Sequence, residues 1–95
     1  MWALLSIWML LACGPAMADD AQGFFEQGLA AARHGDHDAA AEGFSQALDA
    51  GGVDPAVYHG LGNALVRQDK TGWAIAAWRR GLALEPSHPD LLANL

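Results

Sequence analysis

The chain has 95 residues, which is enough for one small domain, and a formal net charge of −6 at pH 7. An acidic chain without a basic patch is poorly suited to nucleic acid or anionic lipid, so we expect neither as a partner. Its single cysteine, Cys13, excludes an internal disulfide bond.

Residues 1–18 have the pattern of a secretory signal. The run from Trp2 to Cys13 is apolar apart from one serine, and it is shorter than the ~20 residues needed to span a bilayer. The small-x-small pattern that ends at Ala18 predicts cleavage there, and therefore an exported, periplasmic or envelope-associated protein. The four residues ending at Cys13 also resemble a bacterial lipobox, which leaves lipidation of Cys13 as an alternative route to the membrane.

The first half of the remaining chain predicts two helices. Apolar residues at helical spacing indicate one helix over 21–34 and another over 38–50. Gly35 breaks the first helix, and Asp36 is placed to cap the second. Gly51 ends the second helix, while Asp54 and Pro55 suit the cap and first turn of a third.

The second half repeats this plan. We expect one inward helix face, a turn over 69–72, and a second inward face that ends at Pro86. Residues 87–90 then have the pattern of another helix start. The first predicted face carries Tyr58, Leu61, Gly62 and Leu65, and the second carries Ala74, Ile75, Trp78, Leu82 and, on its flank, Leu84.

The two halves match at one fixed separation, which we call the repeat offset and define as the distance along the chain from Gly28 to Gly62. A fixed offset of this length is typical of helical repeat arrays. A glycine inside a helix, as at both of these positions, indicates close contact with a neighbouring helix. The other matched pairs are Ala40 with Ala74, Phe44 with Trp78, Ala47 with Gly81, and Leu48 with Leu82.

These residues resemble the tetratricopeptide repeat, whose pattern is aromatic-x-x-Leu-Gly, then Ala-x-x-x-Phe, a small residue and a final Pro. The resemblance implies an all-α solenoid of antiparallel helix pairs: repeat 1 over 21–54, repeat 2 over 55–88, and the start of a third repeat or a capping helix over 89–95. Gln27, Ala31 and Gly52 depart from the pattern in the first repeat. The implied packing residues are Gly28, Ala40, Phe44, Ala47, Tyr58, Leu61, Gly62, Ala74, Trp78, Gly81, Leu82 and Pro86.

A finer similarity is to the repeat segment of BatE-type aerotolerance-operon proteins of the bacterial envelope. That similarity implies an envelope-associated assembly partner. The residues that carry it are Leu61 to Ala64, Gly72, Ala74 to Ala76, Arg79, Arg80, Asp90, Asn94 and Leu95.

The family resemblance also implies a concave face that binds a partner peptide or helix. Asparagine side chains on such a face both donate and accept hydrogen bonds, and arginine pairs with carboxylates. The alternative is that these residues are simply the solvated side of amphipathic helices. The implied face carries Phe25, Leu29, Arg33, His59, Asn63, Arg67 and Asn94.

Two further alternatives remain. His34, Asp36 and His37 form a cluster that resembles metal ligands, although an interhelical turn accounts for the glycine and aspartates there. The other alternative is that the chain self-associates into a homo-oligomer, which would bury Leu91, Leu92 and Leu95.

No nucleophile has a visible base partner, so we expect a non-catalytic scaffold without a cofactor. Trp73 is either an exposed anchor for a partner or packed on a neighbouring helix. His59 and His88 are expected to be surface or groove residues.

Overall fold

The computed structural model describes residues 16–95, and over this range it contains five α-helices and no strand. The helices are α1 (Ala16–Arg33), α2 (His37–Asp49), α3 (Pro55–Arg67), α4 (Thr71–Leu84) and α5 (Pro89–Asn94). The all-α prediction is therefore correct for the described range. Residues 1–15, which hold most of the predicted signal segment and Cys13, lie outside it.

Two of the predicted helix limits are wrong. Helix α1 begins at Ala16, and not at residue 21 as the apolar periodicity indicated, so it includes the predicted cleavage position at Ala18. Helix α4 begins at Thr71, so Thr71 and Gly72 belong to its first turn and not to the preceding loop. The first N–H groups of a helix have no intrahelical partner, which makes its first turn tolerant of glycine.

The predicted caps of the middle helices are present. The backbone N–H of Ala39 donates to Asp36 Oδ1 at 3.1 Å at the start of α2. At the start of α3 the N–H of Ala56 donates to Asp54 Oδ1 at 2.8 Å, with Pro55 in the first turn. Each aspartate satisfies one of the N–H groups that a helix leaves without an intrahelical partner.

The turn between α1 and α2 and the turn between α3 and α4 each contain one residue in the left-handed conformation, at equivalent positions. Gly35 has a φ of 75° between α1 and α2, and Asp69 has a φ of 60° between α3 and α4. These two positions are separated by the repeat offset. Aspartate tolerates this conformation better than most residues, although glycine adopts it at lower cost. The two turns therefore reverse the chain in the same way with different residues.

Each pair is joined by a contact between a helical glycine and an aromatic ring. A Cβ built on Gly28 would lie 2.9 Å from Phe44 Cδ1, and one built on Gly62 would overlap Nε1 and Cδ1 of Trp78. Neither position has room for a side chain without a shift of the ring. These two contacts are related by the repeat offset and are the close approach that a glycine inside a helix indicated.

The core consists of two clusters that match at the same offset. The first contains Ala40, Phe44, Ala47, Val57 and Ala64, and the second contains Ala74, Trp78 and Leu91. Ala40, Phe44 and Val57 in the first correspond to Ala74, Trp78 and Leu91 in the second. The contact of α2 with α3 is thus repeated by the contact of α4 with α5.

Two residues predicted on packed positions, Pro86 and Leu84, are at the surface, and so is Trp73, for which packing was one of two alternatives. Pro86 is exposed and ends α4 without packing in the core, since α4 stops at Leu84. Leu84 itself, the last residue of α4, is 49% exposed. Trp73 is 70% exposed, which removes the alternative that it packs on a neighbouring helix.

Candidate functional site

Helices α3 and α5 meet through asparagine side chains that were predicted on the partner-binding face. Asn94 Nδ2 donates to Asn63 Oδ1 at 3.3 Å, across 31 residues of sequence. Asn63 Nδ2 in turn faces His59 Nε2 at 3.4 Å, one helical turn earlier on α3. Three of the predicted residues therefore form one exposed hydrogen-bonded row.

An open cleft lies beside this row. It has a volume of about 430 Å³ and is lined by Asn63, Val66, Arg67, Trp78 and Asn94, which we call the C-terminal cleft. Arg67 is exposed, so its guanidinium is available to a carboxylate. The amides of Asn63 and Asn94 keep further donor and acceptor capacity beyond their mutual bond.

The apolar residues predicted on this face lie elsewhere. Phe25 packs on Phe44, with ring centroids 5.8 Å apart, and Leu29 packs on the same core cluster. Phe25 also lines a separate cleft of about 300 Å³, which we call the N-terminal cleft. Its other lining residues are Ala21, Gln22, Gly51, Gly52, Asp54, Ala56 and Val57.

The remaining predicted residue, Arg33, is exposed at the end of α1. It corresponds to Arg67 at the repeat offset, and helices α1 and α3 touch each other. The two arginines therefore end two helices that are in contact with each other. Sequence reasoning placed both on this face, but the structure joins only Arg67 to the asparagine row through a shared cleft.

The turn cluster does not have the geometry of a metal site. Within the range that the structure describes, no three His, Cys, Asp or Glu side chains converge closely enough to hold a metal ion. Asp36 Oδ1 caps α2, and His34 is exposed at the start of the turn between α1 and α2. His37 instead lines a third cleft of about 380 Å³ between the two interhelical turns.

This turn cleft has a contact that sequence reasoning missed. Gln68 Nε2 donates to Asp38 Oδ1 at 2.6 Å and so joins the end of α3 to the start of α2. Arg67 and Lys70 also line it, beside Asp36. The 30-residue separation of Gln68 and Asp38 is not the repeat offset, which is why the pattern gave no signal for the pair.

His88 makes a second contact that the sequence did not indicate. Its Nδ1 accepts the backbone N–H of Leu91 at 3.4 Å and caps α5. Its ring lies 6.3 Å from the ring of His59, centroid to centroid, at an interplanar angle of 30°. The only sequence signal was its position before Pro89, where a helix cap is expected.

Comparison with known proteins adds no identification. No protein-family model matches the chain, and neither a curated protein nor a solved structure matches it. In the described residues, no helix combines the length and apolar character required to cross a membrane.

Proposed function

We propose that this chain is a non-catalytic interaction module, a tetratricopeptide-type array that binds a peptide or helix of a protein partner. The array assignment is supported by contacts that recur at the repeat offset. Gly28 against Phe44 corresponds to Gly62 against Trp78, and the buried Val57 corresponds to the buried Leu91. A copied helix pair that stacks on its neighbour accounts for all of these contacts at once.

The binding assignment depends mainly on one observation, the hydrogen-bonded pair of Asn63 and Asn94 beside Arg67 in an open cleft. Exposed amides on two helices offer donors and acceptors at fixed positions, which suits a peptide backbone. Arg67 adds a partner for a carboxylate. An acidic segment of the partner is therefore the chemistry that this cleft favours.

The N-terminal cleft extends the proposed recognition. Phe25 lines it, and Ala21 and Val57 add apolar surface at its wall. An apolar side chain of the partner fits here, while its acidic residue pairs with Arg67 in the other cleft. We therefore propose a partner segment that carries both an apolar anchor and an acidic residue, since neither cleft alone supplies both interactions.

We place this module in the bacterial cell envelope. The proposal is based on the signal-like composition of residues 1–18 and on the similarity to the repeat segment of BatE-type proteins. In this reading the protein is cleaved after Ala18, or alternatively anchored through a lipid on Cys13, and it meets an envelope assembly partner there.

A peptide panel tests the binding proposal. Fluorescence anisotropy would be measured for short labelled peptides that carry an aromatic residue, an acidic residue, both or neither. We expect the peptides with both to bind most tightly. The double variant Asn63→Ala/Arg67→Ala should abolish this binding while its circular dichroism spectrum retains the helical signal.

The control is Arg79→Ala/Arg80→Ala, which removes two exposed arginines that line none of the clefts described above. We expect this variant to bind as the unmodified protein does. If Asn63→Ala/Arg67→Ala still bound the best peptide with unchanged affinity, the proposed site would be rejected. An equal loss of peptide affinity in both double variants would indicate that the peptide is attracted nonspecifically to positive charge.

Self-association is a second candidate, favoured by the apolar side chains of α5. Leu92 is 52% exposed and Leu95 is 56% exposed. They correspond to Tyr58 and Leu61, which are both half-buried in the complete second pair. Light scattering over a range of concentrations tests this candidate: a dimer that Leu92→Ser/Leu95→Ser dissociates supports it, and a monomer at high concentration rejects it.

A further inference from the structure

Helix α5 depends on a small number of side-chain contacts. It spans only Pro89–Asn94, which is far shorter than the ~12–15 residues at which an isolated helix is even marginal in water. Leu91 is fully buried in the cluster that contains Trp78, and Asn94 bonds to Asn63. The state of its cap, His88, therefore affects whether the helix forms and stays docked.

The cap requires a neutral histidine. His88 Nδ1 accepts the Leu91 N–H, and a ring nitrogen accepts a hydrogen bond only when it carries no proton. The proton of the neutral ring is then on Nε2. A doubly protonated ring has no acceptor, so it leaves the Leu91 N–H without this partner, and it places a positive charge at the N-terminus of a helix, where the dipole is unfavourable to a cation.

The neighbouring histidine has the same requirement. His59 Nε2 lies 3.4 Å from Asn63 Nδ2, which has only hydrogens to offer, so this contact also requires an unprotonated nitrogen. The rings of His59 and His88 are 6.3 Å apart. If both rings became cations, they would repel each other across the contact of α3 with α5.

The adjoining segments carry other titratable and charged groups. Tyr58 precedes His59 on α3, and Asp90 lies in the first turn of α5. In the turn after α4, the carbonyl of Glu85 accepts the N–H of His88 at 3.1 Å, while Arg79 and Arg80 are exposed on α4 itself.

From this geometry we propose that His59 and His88 form a pH-dependent latch. When both rings are uncharged, the cap is present and α5 is docked on α3 and α4. Because the docked state requires the unprotonated rings, it is favoured at higher pH and is lost as the pH falls and the rings take up protons. The latch does not depend on partner binding, but its release also separates Asn94 from Asn63.

NMR spectroscopy of the whole protein tests the latch. The methyl shifts of Leu91 report docking, since this side chain packs in the cluster of Trp78. Between about pH 7.5 and about pH 5.5 we expect the docking equilibrium constant of α5 to fall about fivefold or more, which is the size of one lost cap. The amide protons of Phe44, in the other core cluster, should stay protected throughout.

Two variants distinguish the latch from general acid sensitivity. His88→Ser retains a cap acceptor that does not titrate, so its α5 should stay docked at both pH values. His88→Ala has no side-chain acceptor, so its α5 should be undocked to a similar degree at both.

Three results would overturn the proposal. These are an unchanged Leu91 signal in the unmodified protein, acid release of α5 in His88→Ser to the same extent, and full docking of α5 in His88→Ala. Release in His88→Ser would show that the His88 cap is not the contact that acid breaks.

Discussion

The close contact of α3 with the indole of Trp78 predicts a specific stability defect. Gly62→Ala would place a methyl group on Nε1 and Cδ1 of the ring and 2.7 Å from its Cε2, well inside van der Waals distance. Trp78 is only 7% exposed, so the ring has little space to move. Inserting an extra methyl group into such a core typically costs about 1–3 kcal/mol.

The helix propensity of alanine offsets part of this cost. Replacing glycine by alanine inside a helix stabilises it by about 1 kcal/mol, so we expect a net loss of stability of up to about 2 kcal/mol for Gly62→Ala. Gly28→Ala should lose less, because its methyl group would be 2.9 Å from the nearest atom of Phe44, a less severe overlap. For a domain of this size, each kcal/mol changes Tm by about 4–8 °C.

Gly23→Ala is the matched control, because Gly23 also lies inside a helix but a Cβ there would meet nothing within 4 Å. Thermal and urea unfolding followed by circular dichroism should therefore give a higher Tm for Gly23→Ala and a lower one for Gly62→Ala. If Gly62→Ala were as stable as Gly23→Ala, the close packing of α3 on Trp78 would be refuted.

A compensating change tests the cause of the defect. Trp78 Nε1 is buried and has no hydrogen-bond partner among residues 16–95, which typically costs about 1–3 kcal/mol. Trp78→Phe removes this donor and makes room near Gly62, as Phe44 does at the equivalent position. The loss of unfolding free energy in Gly62→Ala/Trp78→Phe should be smaller than the sum of the losses in the two single variants. Strict additivity would show that the two residues do not interact.

Further predictions concern α5, the caps and the first turn. Leu91→Ala should cost about 2–5 kcal/mol because the side chain is fully buried, whereas Leu92→Ala, at 52% exposure, should cost under about 0.5 kcal/mol in the same urea titration. Asp54→Ala removes the cap of α3 and should lower the free energy of unfolding by about 1 kcal/mol, measured by urea unfolding. Unchanged stability would argue against the hydrogen bond from Ala56. Gly35→Ala should lower Tm because φ is 75° there, and a raised Tm would contradict that turn geometry.

The sequence predicted those features of the fold that depend on neighbouring residues or that recur at the repeat offset. Aspartate before an apolar helical run indicated the caps at Asp36 and Asp54, since capping depends on the next three residues alone. The repeat offset indicated where Gly28 and Gly62 lie, because copied helix pairs need copied contacts.

Two close contacts of helical glycines were not predicted, each for a specific reason. Gly43 is buried against the backbone of Gly28, and its counterpart is the buried Ala77. Gly43 and Ala77 are small residues separated by the repeat offset, so the pair was visible in the sequence, but it was not among the predicted matches. Gly60 packs on Phe44, but its counterpart is Asn94, so no repeated pattern marked it.

The candidate site was predictable only in part. The helical period places His59 and Asn63 on one side of α3, which the pattern showed. The bond from Asn94 depends on how α5 docks, and the ring contact of His59 with His88 depends on the path of the turn between α4 and α5. Such contacts join segments that are distant in sequence and follow no simple period, so sequence spacing alone gives no signal for them.

Nuclear Overhauser effects would test the central claim, that one helix pair was copied and that the copies are packed alike. The account predicts strong cross-peaks from the α-protons of Gly28 to the ring of Phe44, and from those of Gly62 to the indole of Trp78, in the same spectrum. If either set were missing while the helices remained formed, the two pairs would not share one packing geometry, and the account would be contradicted.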